Sequence, residues 1–118
     1  MRWARFVGML VITAPLVGCA TVDVTKTAKG FYPGTKADDV DILMTLPNRK
    51  FVELATVSTT KWDPKETAKM HNALRSKTAP LGAHAVIITG SGIVSGPYNA
   101  QWMWTNGVAV RYGEGPSE

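Results

Sequence analysis

The sequence contains little cysteine, little histidine and no long hydrophobic run. One cysteine among 118 residues cannot form a disulfide within the chain. Two histidines stand in no spacing typical of a zinc site. No stretch reaches the roughly 20 consecutive apolar residues that a membrane-spanning helix requires. Stability must therefore come from an apolar core, for which a hydrophobic content of 45% is sufficient.

Recognisable catalytic motifs are also missing from the sequence. The glycine- and serine-rich stretch 90–96, GSGIVSG, is neither a G-x-S-x-G nucleophile elbow nor a phosphate-binding loop with its lysine. We interpret it as a flexible connection. The sequence accordingly predicts no catalytic residue, no cofactor and no enzymatic activity.

The first 18 residues have the layout of a secretory signal peptide. Arg2 and Arg5 give a positive start, and the uncharged run 6–17, FVGMLVITAPLV, follows. Removing residues 1–18 would leave 100 residues, the size of one domain, with 11 basic and 9 acidic side chains. Because this small positive excess is not clustered, we predict no nucleic-acid partner.

The tetrapeptide Leu-Val-Gly-Cys that ends at Cys19 resembles the lipobox of bacterial lipoproteins. In that family the cysteine thiol carries a diacylglyceryl group, the chain is cut before the cysteine, and the new amine is acylated. The resemblance implies that lipid on Cys19 attaches the protein to a membrane of the bacterial cell envelope. Ala20, rather than aspartate, follows the cysteine, which in enterobacterial lipoproteins favours the outer membrane, facing the periplasm.

Residues 19–37 are predicted to be a lipidated tether. The stretch is rich in threonine, lysine, alanine and glycine, and it shows no sustained period. We expect residues 20–30 to be loosely ordered, whereas local docking of residues 31–33, Phe-Tyr-Pro, on the domain stays open.

Two strands are predicted after the tether. Residues 40–46, VDILMTL, alternate with a period of two, and residues 51–59, FVELATVST, are rich in β-forming side chains. Pro47 and Asn48 favour a turn between them. The simplest arrangement of the two strands is an antiparallel hairpin.

The start of a helix is predicted at Asp63-Pro64. Asp63 can cap the first turn, Pro64 suits the first helical position, and Glu66 can complete a capping box. Pro80 should end the helix near Thr78 or Ala79. The sequence predicts an apolar stripe at Met70, Ala73, Leu74 and Leu81, with Lys65, Lys69, Arg75 and Lys77 facing water.

The rest of the chain is predicted to form strands. Residues 81–83 turn the chain, and residues 83–89 read as a strand inside the sheet. Residues 101–112 form either a hairpin with its turn at Asn106-Gly107 or one strand with a bulge at Gly107, and we favour the hairpin. The residues expected to be buried together are Ile42, Met44, Leu54, Leu74, Leu81, Val86 and Ile88.

Three segments carry a resemblance to a wider group of proteins. They are PNRKFVELATVS, LRSKTAPLGAHAVIITG and GVAVRY. Together they resemble small bacterial lipoproteins that include the stress-sensor lipoprotein of the Rcs phosphorelay and, by shape, YbjQ-like heavy-metal-binding domains. The resemblance implies an α+β domain over residues 38–113, of the order β-β-α-β-β, with one mainly antiparallel sheet covered by one helix and a tail at 114–118.

The most unusual local feature is a group of aromatic residues. Trp102 and Trp104 fall on one face of a strand, with Tyr98 nearby. They form either a partner surface or structural cover for the sheet face opposite the helix. For a metal ion, His71 and His84 are weak candidates, and we assign no metal site.

Two functions remain open at this stage. The first is a non-enzymatic envelope lipoprotein that binds another envelope component, such as an envelope protein, as a sensor, adaptor or assembly factor. The alternative is a periplasmic module that binds a small ligand or a metal.

Overall fold

The computed structural model of the chain describes residues 21–113. Over this range one five-stranded sheet is covered on one face by one helix, which confirms the predicted α+β class. No helix in these residues is long and apolar enough to cross a membrane. The predicted signal peptide, Cys19 and the tail 114–118 lie outside the described residues. The elements are β1 (Thr21–Lys26), β2 (Asp41–Leu43), β3 (Phe51–Trp62), α1 (Thr67–Thr78), β4 (Ala85–Ser95) and β5 (Gln101–Tyr112).

The sheet has the strand order β1-β3-β5-β4-β2. Its neighbours are antiparallel except for β2 and β4, which are parallel. The last strand, β5, therefore lies at the centre of the sheet. β3 and β4 run parallel on either side of it, and α1 makes the crossover between them, which places the helix over one face.

The predicted hairpin between the first two strands is wrong. β2 covers only Asp41–Leu43 and pairs with β4 at the sheet edge, far from β3. Met44 and Leu46 continue the alternating pattern but are 63% and 73% exposed. Because β2 ends at Leu43, residues 44–50 are free to cross the sheet instead of forming a tight turn.

Part of the predicted tether is a strand. Thr21–Lys26 forms β1 and pairs with β3, so the expectation of a loosely ordered segment is wrong there. The physical reason is the alternation in TVDVT, which turns Val22 and Val24 toward the core. Of the aromatic pair at 31 and 32, Tyr32 packs on the core, whereas Phe31 is 87% exposed.

The helix begins in two steps. Pro64–Glu66 forms a single 3-10 turn, and the Asp63 carboxylate accepts a hydrogen bond of 2.9 Å from the Lys65 amide, as a cap should. The predicted capping box does not form, because the Glu66 side chain contacts Lys69 at 3.5 Å instead. The α-helix itself starts only at Thr67, so Glu66 does not occupy the third helical position.

The helix ends at Thr78, as predicted, and the chain then turns back through Gly82. Gly82 has a φ of +95°, a left-handed conformation that glycine adopts without strain. Arg75 does not face water as expected, because its Nε donates a hydrogen bond of 2.9 Å to the Val40 carbonyl and ties the helix to the start of β2.

The larger core cluster lies between α1 and the sheet, and a smaller buried cluster lies on the opposite face of β4 and β5. Leu54, Leu74 and Val86 are buried, as predicted, whereas Met44 is not. Met44 follows the last residue of β2, so no neighbouring strand or helix covers it. The half-buried margin of the core includes the three other predicted residues, Ile42, Leu81 and Ile88.

The predicted loop 90–96 and the hairpin at Asn106-Gly107 are both wrong. β4 continues through Ser95, and β5 is one strand of 12 residues. The alternative of a single bulged strand was closer, but the irregularities lie in the strands that pair with β5, between Ile88 and Gly90 of β4 and at two places in β3. Gly107 is needed for close approach: a Cβ there would lie 2.7 Å from the Ile87 carbonyl oxygen.

Candidate binding surface on the sheet arm

The paired ends of β4 and β5 form an arm. We define the arm as residues 90–95 of β4, residues 101–105 of β5 and the turn 96–100 between them. The first turn of α1 lies at its base, where the Thr67 hydroxyl is 3.9 Å from the sulfur of Met103. Residues 91, 93–95, 97–99 and 101 are exposed, so the arm is far less covered than the rest of the sheet.

Both arm tryptophans lie over glycines, Trp104 over glycines of β4 and Trp102 over a glycine of the turn. A Cβ on Gly92 would lie 2.8 Å from the Trp104 indole nitrogen, and the same indole also passes over Gly90 at 3.6 Å. A Cβ on Gly96 would lie 2.6 Å from the Trp102 indole nitrogen. The glycines therefore leave the space in which the rings rest, an arrangement known to compensate for glycine in strands.

These contacts place both indoles on the face of the sheet opposite α1. Trp104 pairs with Gly92, and the intervening Met103 points to the helix side, where it meets Thr67. Each indole is half-buried. One side of each ring is held by the strand beneath it, and the other remains available for contact.

The turn of the arm presents Tyr98 to solvent. Tyr98 is 98% exposed, and it has a φ of 56° in the left-handed region. Asn99 has a φ of 65° as well. A hydrogen bond of 2.6 Å from the Gly96 amide to the Ala100 carbonyl closes the turn. Left-handed geometry at tyrosine is uncommon, and such strain is often found at functional sites.

A cleft of about 460 Å³ lies between the arm and the residues that precede α1. Its lining includes Trp102 as well as charged and amide groups, and it is open to solvent. Such a surface can accept a small polar group. The lining residues are Asp63, Pro64, Lys65, Asn99, Ala100, Gln101 and Trp102.

The two histidines lie in different surroundings. Burial, followed by the charge of Arg75, lowers the pKa of His71. Burial, followed by the charges of Arg111 and Arg49, lowers the pKa of His84. The Tyr112 amide also donates a hydrogen bond of 3.0 Å to Nδ1 of His84. Neighbouring cations oppose binding of a metal ion, and within residues 21–113 no group of three or more potential ligands is assembled.

The arm lies at the same end of the sheet as the start of β1. Thr21 pairs with Thr60, and the indole nitrogen of Trp62 donates a hydrogen bond of 3.3 Å to the Thr21 carbonyl. Trp62 in turn pairs with Met103 of the arm. Cys19, the predicted lipidation site, lies outside the described residues, but it is only two positions before Thr21 in the sequence.

Sequence reasoning found the tryptophans but missed their partners. It treated the glycines of GSGIVSG as a sign of flexibility, whereas Gly90 and Gly92 have the spacing of two that places residues on one strand face. The same spacing separates Trp102 and Trp104. Matching these two periods would have predicted the paired strands of the arm.

The comparisons with known proteins bear on the fold. No family model matches the chain, and no curated protein matches it. A solved structure, that of the Francisella virulence factor FvfA, is similar, with a TM-score of 0.56 and 13% sequence identity over 76% of this chain and 96% of that one. At this identity the likeness supports a shared sheet-and-helix fold alone.

Proposed function

We propose that the protein is a lipid-anchored protein of the bacterial cell envelope whose arm binds another envelope component. It acts as a sensor, adaptor or assembly factor and carries out no reaction of its own. The observation that supports a binding role is the arm itself, where two half-buried indoles and the exposed Tyr98 project from a rigid pair of strands. Aromatic side chains held in this way expose contact area at little entropic cost.

The proposed location follows from the sequence. The lipobox resemblance at Cys19 supports a lipid anchor, and Ala20 at the next position supports the outer membrane, on its periplasmic side. Stable attachment requires more than one acyl chain, which the lipoprotein modification supplies.

Fractionation of cells tests the anchor. A Cys19→Ala variant should lose the lipid and leave the membrane fraction, while a Ser95→Ala variant, changed at an exposed position of the arm, should remain there. If wild type and Cys19→Ala fractionate alike, the lipoprotein part of the proposal is wrong.

Separate substitutions of the arm aromatics test the binding surface. Trp104 covers two glycines, so Trp104→Ser should lower the melting temperature. Trp102→Ser combined with Tyr98→Ser should lower the melting temperature less, because Trp102 covers only one glycine, and it should abolish retention of the envelope component. Phe31→Ser removes an equally exposed aromatic ring elsewhere and serves as the control. Full retention in both arm variants would contradict the proposal.

The cleft supports a second candidate function, a module that binds a small polar ligand. Its volume of about 460 Å³ lies within the range of small-molecule sites, and Lys65 and Gln101 offer polar contacts beside Trp102. A ligand that binds the folded state must raise the melting temperature. Polar metabolites, zinc and copper(I) can be screened in this way, and a stabilising compound should lose its effect in Gln101→Ala.

A further inference from the structure

The component that the arm contacts can be inferred from the position of the anchor. We infer that the arm inserts its tip into the headgroup region of the membrane that holds Cys19, so that the protein rests on the lipid surface instead of hanging from a flexible tether. This inference rests on the proposed lipid anchor and names the partner of the proposed binding surface.

The anchor lies close to the folded domain in the sequence. β1 begins at Thr21, two residues after Cys19. Two residues of extended chain span at most about 7 Å. Once lipid holds Cys19 at a membrane, the backbone of Thr21 stays within this distance of the lipid-bearing residue. The folded domain is therefore held against the bilayer.

The arm lies at the end of the domain that carries the anchor. Thr21 pairs with Thr60 and accepts a hydrogen bond from Trp62, which pairs with Met103 at the arm base. Gln101 lies two strand residues beyond Met103, about 7 Å further out, and the turn 96–100 lies beyond it. The arm thus extends beyond the level of Thr21 at least as far as Cys19 can. Its tip therefore reaches the same membrane surface.

The side chains of the arm suit a membrane interface. Tyrosine and tryptophan combine an apolar ring with a polar group and are enriched where proteins meet the membrane interface. Tyr98 is at the tip, and Ile93 and Val94, both at least half exposed, add apolar surface next to it. Interfacial segments of this kind bury their apolar side chains about 5–10 Å into the boundary between headgroups and acyl chains.

The charged residues around the arm are compatible with contact to lipid headgroups. Lys61 and Lys65 are exposed beside it and can approach phosphate groups, with Asp63 between them in the sequence. The net charge of this group is only slightly positive, so we expect aromatic and apolar contacts to dominate over electrostatic attraction to anionic lipid.

Other exposed apolar residues do not share this position. Phe31 follows β1 and lies against Lys26, and Leu46 lies in the segment that leads to the start of β3, at the opposite end of the sheet. Both are more than 70% exposed. Exposure alone therefore does not distinguish the arm. Its location beside the anchor does, and Phe31 provides a matched control.

Tryptophan emission in lipid vesicles tests the inference. The full chain, purified with its native modification, is reconstituted in phosphatidylethanolamine and phosphatidylglycerol vesicles with or without brominated acyl chains, which quench nearby indoles. We expect loss of emission in brominated vesicles, a smaller loss in Trp102→Phe and in Tyr98→Ser, and no change from wild type in Phe31→Ser. Equal emission in both kinds of vesicle would overturn the inference.

Two further measurements separate failure of the inference from failure of the proposed function. Mass spectrometry of the purified chain should show the acyl groups, and their absence would overturn the anchor and the inference together. A photo-crosslinking residue at position 98 should label lipid in intact cells. If it labels a protein instead, the lipid assignment is wrong while binding of an envelope component by the arm still stands.

Discussion

The helix-covered half of the sheet and the arm differ in what covers the surface of their strands. Under α1, small and branched side chains such as Ala109, Val57 and Val86 fill the space between sheet and helix. No helix covers the indole-bearing face of the arm, where Trp104 lies on glycines of β4 and Trp102 lies on a glycine of the turn. The strands under α1 are stabilised by packing against the helix. The strands of the arm are covered by their own tryptophan side chains.

Glycine shows the difference most clearly. Gly107, in the covered half, allows the backbone of β4 to approach, because a Cβ would lie 2.7 Å from the Ile87 carbonyl oxygen. Gly92, in the arm, makes room for a side chain, the indole of Trp104. A backbone atom in the core cannot move away, but a ring at the surface can. The two regions should therefore tolerate mutation differently.

The largest effect is expected for the centre of the covered half. Leu74 is completely buried, and Leu74→Ala should lower the free energy of unfolding by about 2–5 kcal/mol. Denaturant unfolding measures the loss. Leu46→Ala, at an exposed position, should change it by less than about 0.5 kcal/mol. Equal losses for the two variants would mean that α1 does not cover the core.

The same substitution in both regions tests the comparison directly. Gly107→Ala should cost about 3 kcal/mol, because rigid backbone must shift, and Gly92→Ala about 1 kcal/mol, because the indole can swing outward. Gly30→Ala, with nothing within 4 Å, is the control. In a Trp104→Ala background the cost of Gly92→Ala should disappear. If that cost remains, the ring does not rest on Gly92.

The junction between the two regions should show a smaller effect. Asp63 caps the turn that leads from β3 into α1, and Asp63→Ala should cost about 0.5–2 kcal/mol. Asp63→Asn keeps an acceptor for the Lys65 amide and should restore most of the stability. Thermal melts of the three proteins give the comparison, and an Asn variant as unstable as the Ala variant would rule out capping.

The smallest effect concerns pH and the end of the sheet opposite the arm. Burial and neighbouring arginines lower the pKa of His84 from 6.5, so the fold favours its neutral form. The resulting stability is fully present above about pH 6.5 and is lost as the pH falls toward the lowered pKa. His84→Gln should reduce this decline between about pH 7 and about pH 5 in thermal melts. His71→Gln should reduce it separately, since the pKa of His71 is lowered too. An unchanged decline in both variants would contradict this assignment.

Local signals predicted the helix well. Asp63 and Pro64 mark its start, Pro80 forces its end near Thr78, and the spacing of Met70 and Leu74 gives its buried face. Each of these depends on residues within a few positions of one another. Capping, proline sterics and amphipathic spacing are therefore present in the sequence itself. The candidate surface was predicted to the same extent, because the alternation that places Trp102 and Trp104 together is also local.

Only the tertiary structure decided which strands pair. The sequence favoured a hairpin between β2 and β3, yet two strands, β5 and β4, separate them, and β2 lies at the edge beside β4. Such pairings depend on contacts between residues far apart in the chain, and the alternation within one strand does not indicate its partner. The same holds for β1, which was predicted to be a tether and is a strand because it pairs with the free edge of β3. It holds also for Gly90 and Gly92, which indicate flexibility in isolation but lie in a strand paired with β5, where Trp104 covers them.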